Sequence, residues 1–337
     1  MENRRAIRLT ESAETEQRMV SMNDTHRVLV LGGAHIDRRG RIFGETIPGA
    51  SNPGHFIVEP GGGGFNAARN LGLLDVPVRM IAPRGGDADG ETVAEAAVAC
   101  GVDDHPFVFL DRQTPSYTAI LSHDGNLVVA LADMELYQAF SPRRLKVRAV
   151  RDAVAGTDWM LCDANLPELT IAAIAALARD LSKPLAAIAI SPAKVVRLKG
   201  SLSLFNHIFM NEAEAQALCG ERPDNADAWP ELLRDAGLRS GIITRGSKPV
   251  VAFDESGAFT LAPPPLERLV DVTGAGDALA AGTLSGLLDG LPLAEALRRG
   301  IALAAITLSS PHAVAPEVNR ARLETMVGLV AQACHLA

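Results

Sequence analysis

Arg27-Val28-Leu29-Val30-Leu31-Gly32-Gly33 sets four apolar residues side by side and stops them with two glycines. No polar position interrupts the run, so it describes a strand covered on both faces rather than a half-exposed one. Such a strand belongs inside a parallel sheet that carries helices above and below. The chain beyond it follows the same pattern. Val76 to Ala82 predicts a strand and Glu91 to Ala99 a helix. From about 158 the alternation is regular: Trp159-Met160-Leu161-Cys162 precedes a helix at 168–180, Leu185 to Ile190 precedes a helical turn, and His207-Ile208-Phe209-Met210 precedes a helix at 212–219. Ile242-Ile243-Thr244 is a further strand, and Val250 to Phe253 returns through Asp254-Glu255-Ser256-Gly257 as a hairpin. Two alanine-rich helices, near 275–288 and 293–309, follow. The expected fold class is α/β, with a mostly parallel central sheet and helices on both faces.

Two stretches break the alternation. Residues 41–60 hold Pro48, Gly49, Pro53, Gly54 and Pro60 among apolar positions such as Phe56 and Val58. Residues 107–131 place Phe107 to Leu110 and Tyr117 to Leu121 before a turn, Asp124-Gly125-Asn126, that leads into Leu127 to Ala130. Short strands and a hairpin fit both, and together they predict a small β-sheet apart from the main body, a lid. Residues 1–26 mix Arg4, Arg5 and Arg8 with Glu11, Glu14 and Glu16 and have no apolar block. They are expected to form a disordered extension rather than a signal peptide, leaving 27–337 as the folded domain.

Composition excludes several function classes. Apolar residues make up 47% of the 337 and aromatics only 4%, enough for a large aliphatic core but poor in the stacking platforms of single-strand nucleic-acid surfaces. Net charge is 32 − 40 = −8, which favours neither nucleic acid nor an anionic membrane as partner. Cys100, Cys162, Cys219 and Cys334 lie far apart, without a CxxC pair or an HExxH motif. A disulfide framework and the usual zinc sites are therefore not expected, and a reduced, cytoplasmic setting is. Apolar stretches such as Ile171 to Ala178 fall well short of the roughly 18 residues that a membrane span needs.

The chemistry concentrates in Asp271-Val272-Thr273-Gly274-Ala275-Gly276-Asp277, directly before the apolar helix at 278 onward. Glycines there leave the amides of Gly274, Ala275 and Gly276 bare at a helix N-terminus, an anion site. An aspartate in the same turn would repel an incoming phosphate. Asp277 is therefore read as a base that takes a proton from an alcohol attacking a phosphoryl group, with a plain helix cap as the alternative. Gly61 to Gly64 with Asn66 is a second candidate. Its glycines let the backbone approach a ligand, and Asn66 offers both a donor and an acceptor to a hydroxyl-rich substrate, or simply caps a helix.

These stretches, in this order, resemble the PfkB carbohydrate kinase family, the ribokinase-like sugar and nucleoside kinases, from about 28 to 320. Gly32-Gly33-Ala34-His35-Ile36-Asp37 is similar to the family's first turn, and Gly62 to Ala68 to its amino-terminal signature. Asn211-Glu212-Ala213-Glu214 is similar to its NxxE element, Thr244-Arg245-Gly246 to its nucleotide-contacting Thr-x-Gly, and Asp271 to Asp277 to its DTGAGD signature with Val272 inserted. Asp75 stands where the family usually has glycine, and no Walker A loop occurs. The resemblance implies a ribokinase-like three-layer α/β/α sandwich with a β-lid and ATP-dependent phosphorylation of a primary alcohol. It gives Asp277 the role of base, with His35, Asp37, Gly62, Gly63 and Asn66 around the sugar. Asn211, Glu214, Thr244 and Gly246 fall at the nucleotide, where Glu214 stands in the outer shell of Mg2+. Asp271 and Thr273 fall at a monovalent cation such as K+, and the lid is implied either to join a homodimer or to close over a monomer. Lys248 and His312 are candidates for phosphate and adenine contacts.

Within the family three local features resemble the pseudouridine kinases: the first turn, Ser51-Asn52-Pro53-Gly54, and Asp133-Met134. They place Ser51, Asn52 and Asp133 near the base, although the first could equally be an ordinary β-turn. His35 replaces an expected asparagine, and Ser191-Pro192 an expected Asp-Pro. The acceptor implied is the 5′-hydroxyl of pseudouridine. The alternatives are another nucleoside or sugar, such as ribose, adenosine or fructose, and a non-catalytic sugar- or nucleoside-binding regulator.

Overall fold

The computed structural model describes residues 27–336. The expected N-terminal extension, 1–26, lies outside the described residues. In chain order the first half contains β1 (Val28–Leu31), β2 (His35–Ile42), β3 (Gly54–Gly61), α1 (Gly63–Leu73), β4 (Val78–Ile81), β5 (Pro83–Gly85), α2 (Ala88–Ala99), β6 (Val102–Asp104), β7 (Phe107–Phe109), β8 (Ser116–Leu121), β9 (Leu127–Asp133) and α3 (Arg148–Gly156). The second contains β10 (Trp159–Asp163), α4 (Glu168–Asp180), β11 (Leu185–Ile188), α5 (Pro192–Val195), β12 (His207–Asn211), α6 (Glu212–Cys219), α7 (Trp229–Asp235), β13 (Gly241–Arg245), β14 (Lys248–Asp254), β15 (Gly257–Leu261), α8 (Ala275–Leu288), α9 (Leu293–Leu308), α10 (Arg320–Val327) and β16 (Cys334–His335).

The main sheet runs β16-β15-β14-β13-β12-β11-β10-β1-β4-β6. It is parallel from β6 to β13 and antiparallel from β13 to β16. The β1 run divides its side chains between two cores, as a strand's period of two requires. Val28 and Val30 join Phe65 and Leu71 of α1 and Leu284 of α8. Leu29 and Leu31 join Val150 of α3 and Ile171 and Ile174 of α4. All four β1 side chains are fully buried. Each such burial contributes about 2 kcal/mol, so the run's placement is strongly specified. From β1 the chain builds outward to β4 and β6, then returns to add β10 through β13 on the other side. The switch point therefore lies between β1 and β10, where open α/β sheets form their ligand crevice.

The lid is a separate four-stranded sheet, β3-β2-β8-β9. Its extent corrects the sequence expectation in two places. It begins at His35 rather than near 41, and Phe107–Phe109 is not in it but pairs in parallel with Pro83–Gly85. The alternation of 107–110 is real, but it serves a two-stranded strip that continues from β4 and β6. Asp75 adopts φ +55, the left-handed conformation that glycine takes more cheaply, so the turn keeps its shape without one.

Candidate active site

A cavity of about 1280 Å3 runs along the carboxyl ends of the parallel strands, beneath the lid. Its lining draws on β2, the β10–α4 turn, β11, β12 and β13, and on the N-terminus of α8. Neighbouring strands lie about 4.8 Å apart, so the four steps from β1 to β13 span roughly 19 Å, room for two ligands side by side.

The centre of the cavity is the start of α8. Gly274 has φ +78, and a side chain there would bring a Cβ within 2.1 Å of the Ala313 carbonyl, so only glycine fits this turn. Of the three expected amides, that of Ala275 is held weakly by the Val272 carbonyl at 3.4 Å, whereas those of Gly274 and Gly276, and that of Asp277, have no acceptor among the described residues. Those bare amides at the positive end of the helix dipole form an anion site. Asp277 stands beside them, half-buried. Burial pushes its carboxyl up to about 7; a hydrogen bond from Asn66 opposes this, and Asp163, Asp37 and Glu214 add to it. A carboxylate poised near neutrality suits proton abstraction from an alcohol.

One side of the cavity lies under the lid. Asn66 Nδ2 donates to Asp277 Oδ2 at 2.9 Å, and the buried Asn66 Oδ1 has no partner among the described residues. Gly62, at φ +109, packs so closely on the first turn that a Cβ would come within 2.3 Å of the Gly33 carbonyl. Gly62, Gly63, Asp37 and His35 all line the cavity. His35 Nε2 faces Asp37 Oδ1 at 3.2 Å and its Nδ1 lies 2.7 Å from the Tyr137 hydroxyl. Burial, then Asp163 and Asp37, keep that phenol protonated.

Several residues here escaped the sequence reading. Asp163, fully buried at the end of β10, accepts from the amides of Gly33 at 2.8 Å, Gly64 at 2.7 Å and Asn165 at 2.9 Å. One carboxylate thus ties both glycine loops to the switch point. Lys194 Nζ donates to Asn165 Oδ1 at 2.7 Å, and the buried Asn165 Nδ2 is left unpartnered. Lys194, Asn165 and Ser191 line the cavity, as does Ile190, whose φ of +70 is a strained conformation for a β-branched residue. Apart from Ser191, which stands where the resemblance expects an aspartate, their signal in the sequence is position: each follows the carboxyl end of a predicted central strand.

On the other side of Asp277, Asn211, Glu214, Thr244 and Gly246 line the cavity before an apolar wall of Pro263 to Leu266, Leu269 and Ile301. Asn211 and Glu214 form a reciprocal helix cap: Asn211 Oδ1 accepts from the Glu214 amide at 2.9 Å and Glu214 Oε2 from the Asn211 amide at 2.7 Å. Burial raises the Glu214 pKa, and the Asn211 bonds pull it back.

Other expected site residues stand elsewhere. Ser51 is exposed and outside the lining, and Asn52 spends its amide on the turn, accepting from the Ile47 amide and donating to the carbonyls of Ile47 and Ala50. The turn itself lies just before this segment, at Pro48-Gly49, and Ser51 to Pro53 lead from it into β3. Asp133 is exposed at the end of β9; its neighbours Ala132 and Met134 line the cavity instead, because successive strand residues face opposite ways. Lys248 is exposed at the start of β14, outside the lining. His312 is also outside it, with Nδ1 against Glu59 of the lid rather than at an adenine site.

Asp271 and Thr273 do not fit a monovalent cation. Asp271 Oδ1 accepts from the Thr273 amide at 2.8 Å and hydroxyl at 2.7 Å, while Oδ2 accepts from Arg39 Nη1 of the lid at 2.6 Å. Burial would raise its pKa, but Thr273 and then Arg39 outweigh burial and hold it below its ordinary value. Among the described residues no cluster of three or more His, Cys, Asp or Glu side chains could hold a metal ion, and no helix is long and apolar enough to cross a membrane.

Known proteins resemble this chain in sequence and fold. The sequence profile described as pfkB family carbohydrate kinase matches residues 25–320. The chain is 28% identical over 313 residues to the pseudouridine kinase of Escherichia coli strain K12, covering 91% of this chain and 98% of that one. A carbohydrate kinase from Agrobacterium tumefaciens is 58% identical and superposes with a TM-score of 0.84, covering 92% of this chain and all 100% of that one. The Arabidopsis thaliana ribokinase complexed with ribose and ATP, 20% identical, shares the fold with a TM-score of 0.80 over 90% of this chain and 99% of its own. With the family profile matched over nearly the whole folded part, this chain belongs to the pfkB family of carbohydrate kinases, phosphotransferases with an alcohol acceptor.

Proposed function

We propose that the chain transfers the terminal phosphoryl group of ATP to the 5′-hydroxyl of pseudouridine. The observation that carries the phosphotransfer is the placement of Asp277, with its raised pKa, beside the bare amides of α8. The choice of pseudouridine is supported by the similarity to the pseudouridine kinase of E. coli over nearly the whole of both chains.

In this reading Asp37 and Asn66 hold ribose hydroxyls, and the unpartnered Asn66 Oδ1 accepts from one of them. Asn165 Nδ2 and Lys194 Nζ offer donors to oxygens of the acceptor. Asp277 takes the proton from the attacking hydroxyl as the new O–P bond forms and the bond to ADP breaks, and the Gly276 and Asp277 amides bind charge on the phosphoryl oxygens. Thr244 and Gly246, with the wall of Pro263 to Leu266, hold the nucleotide. Asn211 and Glu214 fit the outer shell of magnesium: Glu214 uses only one oxygen for the helix cap, and the ion, when bound, lends its charge to the phosphates. The lid exposes Phe56, Ile57 and Val58 on β3 and Leu127, Val129 and Leu131 on β9, which supports association of two copies through it.

The test is ATP consumption with magnesium against pseudouridine, uridine, ribose, adenosine and fructose, with Asp277→Asn as control. Turnover of pseudouridine above the rest is expected. Preference for another acceptor would overturn the substrate, and silence with all five would overturn the function.

A further inference from the structure

Arg39 lies mid-way along the lid strand β2, yet its side chain reaches the loop before α8. Nη1 donates to Asp271 Oδ2 at 2.6 Å and Nη2 to Glu59 Oε2 at 2.5 Å. Glu59 sits opposite Asp37 in the β2–β3 register and also meets His312 of the body. One planar guanidinium therefore bridges a lid carboxylate and a body carboxylate, a geometry that needs both in place. Asp271 is three residues before Gly274, and an uncompensated carboxylate there would repel an anion on the α8 amides.

We propose, building on the phosphotransfer reading above, that Arg39 takes the place of a monovalent cation at Asp271, so that the anion loop is ordered by the lid and not by K+. The fork comes from the same strand as Asp37, two residues away, so seating the acceptor under the lid and ordering the loop are one event. Arg39 is then a positioning residue: it touches neither reacting group and acts through Asp271.

Two readouts test this on the full chain. In the first, melting temperature is compared in potassium and tetramethylammonium chloride at equal ionic strength, without substrates. The wild type should melt at the same temperature in both, whereas Arg39→Ala should be selectively stabilised by K+, which can now reach Asp271. In the second, turnover is measured in the same salts. The wild type should change less than about twofold, and Arg39→Ala should lose about tenfold or more in tetramethylammonium and recover in part with K+. Arg39→Lys, which keeps the charge, should show less K+ dependence than Arg39→Ala. Selective K+ stabilisation or activation of the wild type overturns the proposal, as does an Arg39→Ala chain that is indifferent to K+. If no acceptor is turned over, the functional reading fails, while the melting comparison still decides the place of Arg39.

Discussion

Asn66 Nδ2 donates to Asp277 Oδ2 at 2.9 Å, joining the two glycine signatures across 211 residues of sequence. The contact orients the carboxylate and lowers its pKa against burial, so a single amide both aims the base and tunes it. The other end of the same amide, Oδ1, is buried without a partner among the described residues, and in the proposed reading it accepts from the acceptor.

Asp277→Asn removes the base and leaves the shape. Turnover should fall roughly a hundred- to ten-thousand-fold. Stability should move the other way. The folded-state pKa of Asp277 is raised above its ordinary value, so the folded chain binds that proton more tightly than the unfolded one. Its ionisation therefore costs stability as pH rises toward about 7. The variant should melt above the wild type at pH 8 and match it near pH 4. Equal melting curves at pH 8 would contradict a raised pKa.

The wild-type kcat/KM should fall with acid along a one-proton limb centred near the Asp277 pKa of about 7. In Asn66→Ala the lost hydrogen bond should move that limb to higher pH, and the KM for the acceptor should rise more than that for ATP. A limb that stays in place would separate Asn66 from the base.

Asp163→Asn keeps the size of the side chain but sets an amino group against amides that now donate to a carboxylate. Leaving even one of the three amides facing a donor should cost about 3 kcal/mol of stability. Chemical denaturation measures this. Where the variant folds, acceptor KM should rise because Gly33 and Gly64 lose their shared anchor.

Leu131→Lys changes an exposed apolar position on the outer lid strand. Light scattering should find the wild type as a dimer and the variant shifted toward monomer. A wild type that is monomeric at micromolar concentration would remove the proposed interface.

The strands and helices of the body were readable along the chain because each carries its own signal: buried faces repeat at short period and glycines end them. Val28 to Leu31 stands inside the sheet as its unbroken apolar run demands, and Gly274, Ala275, Gly276 and Asp277 lie together at the start of α8. The lid was legible in part. Its hairpin at 124–126 is a local turn, but β2 is rich in charge, His35-Ile36-Asp37-Arg38-Arg39, and gives no apolar alternation to read. Ser51, Asn52 and Asp133 were assigned by resemblance of short segments, and which way a turn or strand-end side chain points is settled by its neighbours.

The one-dimensional pattern was sufficient for the layers and for the glycine loop that opens α8, since these depend on residues adjacent in sequence. It was silent on Asp163 holding Gly33 and Gly64 from 130 and 99 residues away, and on Arg39 reaching Asp271 across 232. Charge pairing between distant segments depends on where the fold lays their backbones, and a charged residue in a strand or loop looks the same in sequence whether it faces water or a buried partner.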